Sequence, residues 1–285
     1  MSVVSTPVPS TDRRFELEAR DGPALCARLR GRRPIPGLLI ADAIELGVGC
    51  APAASHEAFA RAFAAACAAE GPAGDGRGFG TVLVVETPES LAWRDALREA
   101  GLREERRKVF VERRLDDALP FEGGAALADW RLRSLADAGE DAFRARLADV
   151  AEGDPFEDRP NDDAGATRHL ERAWRALVES AGRRFDPTRW WLVDDLRGAV
   201  GIILPQRVNE STGTLYYVGV VPGRRREGLG RRLHAAGLER LARDGASRYV
   251  GSTDVRNVAM RSVFARNGAR EAGTEAYFRA NPAEG

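Results

Sequence analysis

Lysine is scarce against arginine in this chain, and neither sign of charge is in excess. Lys+Arg 43 and Asp+Glu 43 leave a formal net charge of zero over 285 residues. That removes the basic footprint of a nucleic-acid binder. No apolar run approaches the ~18 residues of a membrane-spanning helix. The opening MSVVSTPVPSTDRR has no hydrophobic region of a signal peptide. The three cysteines, Cys26, Cys50 and Cys67, form no metal-spaced pair and cannot all pair with one another. Reduced thiols in a cytoplasmic protein are expected. His56, His169 and His234 have no Cys or carboxylate at a metal-ligand spacing, so no metal is expected, and each is expected on the surface or at a cap. Neither G-x-G-x-x-G nor G-K-[ST] occurs, which excludes the dinucleotide fingerprint and the P-loop. What remains is 44% hydrophobic and 30% charged, a globular composition long enough for two modest domains or one large one.

Residues 1–13 are rich in Ser, Thr and Pro and predict a loose tail. An apolar run in Gly37–Leu46 predicts a strand. Glu57–Glu70 predicts an amphipathic helix ended by Gly71-Pro72, and Gly74–Gly80 a flexible connector. Then come a strand at Thr81–Val85, a helix at Ser90–Ala100 stopped by Gly101, and a strand at Lys108–Arg113. Ala118–Gly124 reads as a linker between a first domain, residues 1–119, and a second, residues 125–285. In the second, strand Leu127–Leu135 precedes helices over Glu140–Val150 and Gly165–Gly182. Phe143, Leu147 and Val150 share one face of the first helix. Leu170, Ala173, Trp174, Leu177, Val178 and Ala181 line one face of the next. Strands Trp190–Val193 and Ala199–Leu204 flank the hairpin signal Asp195–Gly198. Strand Thr214–Val221, helix Gly230–Arg243, strand Arg248–Ser252, helix Asn257–Asn267 and strand Ala276–Arg279 complete the chain.

The two halves echo each other. Gly101 and Gly268 stand 167 residues apart. The same offset carries Arg94 onto Arg261, Arg103 onto Arg270, Glu104 onto Glu271 and Phe110 onto Tyr277. The shared order of strand, helix, glycine stop and aromatic strand predicts an internal duplication.

The stretch Leu215–Leu233, LYYVGVVPGRRREGLGRRL, is where chemistry concentrates. A β-rich run stops at Pro222-Gly223, three arginines follow, then Gly228-Leu229-Gly230 opens a helical pattern. A helix's first turn has free N–H groups and the positive dipole end, which suits a pyrophosphate. Gly228 and Gly230 let a ligand approach the backbone. Arginines add fork-shaped donors.

Arg225-x-x-Gly228-x-Gly230 after this strand resembles the pyrophosphate loop of the GNAT acyltransferase superfamily. NVAMRSVFARNGA from Asn257 resembles the family's second motif. The resemblance covers roughly residues 125–280 and implies an α/β tandem GNAT fold, a mixed sheet flanked by helices in each half. The N-terminal half would be shortened and degenerate, because Ala58, Arg61 and Phe63 replace the loop's Arg and Gly residues. It implies acetyl-CoA as acyl donor, transferred directly to an amine on a small molecule or peptide. Acetyl-CoA would contact the backbone of Val218, Gly219 and Val220, then Arg225, Arg226, Glu227, Gly228, Leu229, Gly230 and Arg231, with the Asn257 side chain on the pantetheine. Asn257 also reads as a plain N-cap. The Tyr that protonates the leaving thiolate in the family is Phe264 here. Tyr216, Tyr217 and Asp254 are the remaining catalytic candidates. The loop carrying Asp154, Glu157, Asp158, Asp162 and Asp163 could hold a cationic amine or be merely solvated. The alternative is a non-catalytic acyl-CoA-binding or regulatory module. The oligomeric state is not legible.

Overall fold

The computed structural model describes residues 2–6, 14–21, 23–32, 40–46, 60, 81–85, 90–99, 101–115, 129–154, 156 and 163–280. The expected helix at Glu57–Glu70 (Ala60 apart), the connector at Gly74–Gly80 and the linker at Ala118–Gly124 lie outside them. So do Glu157, Asp158 and Asp162, and the side chains of His56, His169 and the three cysteines. The chain divides into two compact units, Met1–Val109 with Gly273–Gly285, and Phe110–Ala272.

The first unit begins with an antiparallel meander of β1 (Ser2–Thr6), β2 (Arg14–Asp21), β3 (Ala24–Arg32) and β4 (Ile40–Leu46). The tail is therefore partly a strand. Alternating charges place Glu16, Glu18 and Glu45 beside Arg28 and Arg30, and ion pairs cross the strands. Then come β5 (Thr81–Val85), helix α1 (Ser90–Glu99) and β6 (Leu102–Arg114).

In the second unit β7 (Arg131–Ser134) is shorter than expected. Ser134 caps a one-turn helix α2 (Leu135–Ala138), its Oγ accepting from the Asp137 N–H at 3.1 Å. Helices α3 (Glu140–Ala151) and α4 (Asp163–Ala181) follow. Strands β8 (Trp191–Asp195), β9 (Gly198–Arg207) and β10 (Thr212–Val220) form an antiparallel meander with β7. After β10 come α5 (Leu229–Arg243), β11 (Arg248–Asp254) and α6 (Val258–Arg266); the closing strand β12 (Arg270–Ala280) belongs from Gly273 onward to the first unit. Within this unit the strand order is β6-β11-β10-β9-β8-β7.

The mixed sheet is covered on both faces. Phe143, Leu147, Trp174 and Trp190 pack with Leu192, Ile202 and Leu204 on the α3/α4 side. Leu229, Leu233 and Ala236 of α5 pack with Val200 and Ile203 on the other. Val111 and Leu115 at the end of β6 share a core with Leu238, Leu241, Tyr249 and Phe264.

The 167-residue offset superposes elements as well as residues. It carries β5 onto the start of β11, α1 onto α6 and β6 onto β12 to within one or two residues at each shared end. Gly101 and Gly268 both take positive φ, +87° and +76°. Arg94 pairs with Glu104 at 3.1 Å, and Arg261 with Glu271 at 2.7 Å. The last strands are exchanged: β12 pairs antiparallel with β5 in the first unit, Arg279 opposite Thr81. The equivalent Glu112 and Arg248 form an ion pair in the second unit, and the Leu115 N–H donates to Ser247 O at 2.9 Å. The compact units therefore do not divide at residues 119 and 125.

Candidate functional site

The site begins with an irregularity in β10. Its pairing with β9 runs from Gly213↔Arg207 to Leu215↔Pro205, then slips by one residue before Val218↔Ile203. A bulge places two residues against one, so Tyr216 and Tyr217 both face the α3/α4 core, while Leu215, Val218 and Val220 face α5. On its other edge β10 pairs with parallel β11 only at Thr212↔Arg248 and Gly213↔Tyr249. Among the described residues no further pair joins these strands, so they part. The Val221 N–H donates to Val200 O at 3.1 Å. In-plane backbone groups alternate along a strand, so Gly219 also turns its groups to β9. Val218 and Val220 turn theirs into the gap. Gly219 has a separate constraint: a Cβ there would lie 2.8 Å from Val150 Cβ, so α3 closes directly onto β10.

Beyond β10 a short 3-10 turn, Pro222–Arg224, leads to α5. Arg226 has φ +68° and Gly228 φ +80°, so left-handed residues alternate through the loop. Such alternation makes successive N–H groups converge into an anion-binding concavity. Among the described residues nothing accepts from the N–H groups of Arg226, Glu227, Gly228, Leu229 or Gly230. The Arg231 N–H is spent on Gly228 O at 3.2 Å. Leu229 is 5% exposed and anchors the helix in the core, so its N–H alone faces the loop's concavity. Gly228 is needed for its φ. Gly230 is not: a Cβ there would meet only Val220 Cγ2 at 3.7 Å. The fold leaves room that a side chain would take from a ligand.

The arginines divide by their partners. Arg224 is clamped by Asp195 at 2.9 and 3.2 Å and by Glu227 at 3.0 Å. These hydrogen bonds raise the guanidinium pKa and hold Asp195 and Glu227 below the usual carboxylate range. Glu227 also pairs with Arg197, so its side chain is engaged in the loop's own frame. Arg225 donates Nη2 to Val150 O at 3.0 Å and Glu152 O at 2.8 Å, and Nε to Val220 O at 3.3 Å. It satisfies the last carbonyls of α3 without a carboxylate partner among the described residues. Arg226 is exposed, and among the described residues its guanidinium has no partner.

At the second motif, Asn257 Oδ1 accepts from the Met260 N–H at 3.0 Å, the N-cap of α6. Asp254 is buried, and its carboxylate binds the Arg256 N–H and guanidinium, each at 2.9 Å. That commits it to the turn. Tyr216 Oη donates to Ser180 O at 2.8 Å, and partial burial raises its pKa. Phe264 is 2% exposed, its ring 5.3 Å from that of His234 and 6.5 Å from that of Tyr249. It is a core residue. Asp154 accepts from the Phe156 N–H at 2.9 Å.

His234 overturns the surface expectation. It is 0% exposed, with Nε2 3.1 Å from Tyr249 Oη and Nδ1 2.9 Å from Asn267 Nδ2. Burial and the nearby Arg113 charge push its pKa down to about 3. The Arg113 guanidinium donates to Asn267 O. Helical position gave no sign of this network, because its four members come from β6, α5, β11 and the turn after α6. Among the described residues no group of His, Cys, Asp or Glu could hold a metal ion, and no helix is long and apolar enough to cross a membrane.

Residues 147–269 match the sequence model of the Acetyltransferase (GNAT) family. No curated protein matches the chain. Among solved structures, the GCN5-related N-acetyltransferase from Sphaerobacter thermophilus has a TM-score of 0.59 at 20% identity, over 95% of this chain and 81% of that one. A tandem GNAT protein from the clavulanic acid biosynthesis pathway has a TM-score of 0.55 at 16% identity, over 97% and 86%. A GCN5-related N-acetyltransferase from Kribbella flavida has a TM-score of 0.50 at 18% identity, over 90% and 87%. These likenesses concern the fold, and the family match falls on the segment that holds the parted strands, the loop and α6. Residues 147–269 therefore match the GNAT family, within a chain that has the fold of the solved GNAT structures.

Proposed function

We propose that the chain is an acetyl-CoA-dependent N-acyltransferase, active in its C-terminal half, that acetylates an amine on a small molecule or peptide. The observation that carries this reading is the join of two features. β10 parts from β11 after Gly213, and the strand then runs into a loop whose N–H groups have no acceptor among the described residues, at a helix start. The pyrophosphate lies against the N–H groups of Arg226–Gly230, with the Arg226 charge beside it. Pantetheine amides pair with the in-plane groups of Val218 and Val220 like an added strand. Asn257 keeps its amide N–H₂ for the same arm while Oδ1 caps α6.

The acceptor nitrogen then attacks the thioester carbonyl carbon, and the C–S bond breaks. The nitrogen loses a proton, the sulfur leaves as thiolate and gains one, and the products are an amide and free CoA. Asp254 is engaged by Arg256 and the Tyr216 proton by Ser180. Tyr217, the remaining catalytic candidate, lies in the bulge beside Tyr216, and solvent supplies the remaining proton path. We also read the two halves as a duplicated tandem, the first without a donor site, and place the protein in the cytoplasm, where acetyl-CoA is available.

A second reading, a non-catalytic acyl-CoA-binding module, is favoured by one observation: Phe264 is closed into the core with no hydroxyl. Thiol release from acetyl-CoA with a panel of amines, beside calorimetric binding, separates the two. Binding without release supports the module. Release without any amine dependence counts against both.

A further inference from the structure

A cavity of about 290 Å³ opens between α3, α4 and β10. Leu147 of α3, Leu170, Ala173 and Leu177 of α4, and Tyr216 and Tyr217 of β10 form its wall. We propose that it receives an uncharged hydrocarbon body of the acceptor, so that the substrate class is amines bearing an aryl or long alkyl group. The proposal rests on the acyl-transfer reading above.

Four observations support it. The bulge in β10 is what brings both tyrosines to this side. With an unbroken alternation one ring would face α5 instead. The cavity therefore adjoins the residues that precede Val218, where backbone groups begin to face the open gap. An amine at its mouth stands beside the strand that the donor would lie along.

The polar atoms of the wall are also few. The Tyr216 hydroxyl spends its proton on Ser180 O at 2.8 Å, so the ring presents carbon. Among the described residues no charged side chain lines the cavity, and no carboxylate there could hold a polycation. Asp154, the acidic-loop residue with a described side chain, is not on the wall.

Size gives the fourth. A cavity of ~150 Å³ holds a benzene ring, so about 290 Å³ has room for two fused rings. Burying ~100 Å² of hydrocarbon at ~25 cal/mol per Å² corresponds to roughly a 70-fold advantage over a bare short amine.

The test uses the full chain with acetyl-CoA and thiol release. The acceptors are 2-(1-naphthyl)ethylamine, ethylamine and spermidine. The proposal expects kcat/KM for the naphthyl amine at least ~30-fold above ethylamine, with no advantage for spermidine. Ala173→Phe fills the cavity and should bring the ratio below about threefold. Leu177→Asp adds a carboxylate and should move preference towards spermidine. Calorimetric acetyl-CoA binding on the same samples reports folding and the donor site. A wild-type ratio below threefold, with turnover intact, overturns the proposal. So does an Ala173→Phe protein that keeps its amine ratio but loses octanoyl-CoA turnover, since the cavity would then hold the acyl chain. Acetyl-CoA binding without turnover of any amine also overturns it. Loss of acetyl-CoA binding in the wild type instead brings down the acyl-transfer reading, and this proposal with it.

Discussion

Gly230→Ala separates what the fold requires from what a ligand requires. Gly230 is the second residue of α5, and a Cβ built there meets nothing nearer than Val220 Cγ2 at 3.7 Å. Ordinary van der Waals contact costs nothing, and alanine is the better helix former by ~0.5–1 kcal/mol. The melting temperature should therefore stay level or rise by about 1–3 °C. The same methyl takes open space beside Val220 at the start of α5, where, on the proposed function, the phosphates would lie. Displacing them from hydrogen-bond distance should weaken acetyl-CoA binding by about 100-fold, ~2.7 kcal/mol. Calorimetric titration with acetyl-CoA and a thermal melt on one preparation read both numbers. If the variant binds like the wild type, the pyrophosphate is not at this turn. If it melts several degrees lower, the space beside Gly230 is needed by the protein itself, and the argument from room left in the fold fails.

Arg226→Ala should leave the melt unchanged and weaken acetyl-CoA binding in a salt-dependent way, whereas Arg224→Met should lower the melt, since Arg224 ties the β8–β9 hairpin to the loop through Asp195. Equal effects of the two on both readouts would contradict this division. Leu115→Ala should cost ~2–4 kcal/mol in chemical denaturation, because Leu115 fills a core beside Tyr249 and Phe264. A chain starting at residue 125 should fail to fold for the same reason, and a soluble, cooperatively melting fragment would argue against the strand exchange. His234 is neutral in the fold and has its pKa lowered to about 3. The unfolded chain therefore binds the extra proton first as pH falls, and stability present above pH ~6.5 is lost progressively below it. The slope from this one group reaches ~1.4 kcal/mol per pH unit. His234→Gln should flatten denaturation curves between pH 6.5 and 4, and an unchanged slope would place the titration elsewhere.

Local signals were sufficient for much of the site. Gly228 marks the left-handed entry to α5, Asn257 caps α6, and Pro222 ends the strand, each through chemistry within a few residues. The offset that carries Arg94 onto Arg261 and Glu104 onto Glu271 was legible too, and Arg94–Glu104 and Arg261–Glu271 each form an ion pair. Other features have no local cause. Nothing in LYY marks a bulge, because slipping one residue is decided by how β9 and the α3/α4 core accept two tyrosine rings. The parting of β10 from β11 depends on a partner about 36 residues away. His234 reads as one more polar residue on a helix until Tyr249, Phe264 and Asn267 close around it. The pairing of β12 with β5 and the place of β6 beside β11 are invisible for a further reason: segments of similar pattern present similar edges, so pattern alone cannot say which strand pairs with which. Residue type and spacing determined the loop and the helix caps, which rest on backbone conformation and contacts within a few residues. The open edge of β10, the apolar cavity and the buried histidine were decided only by tertiary packing, which sets side-chain environments across elements far apart in the chain.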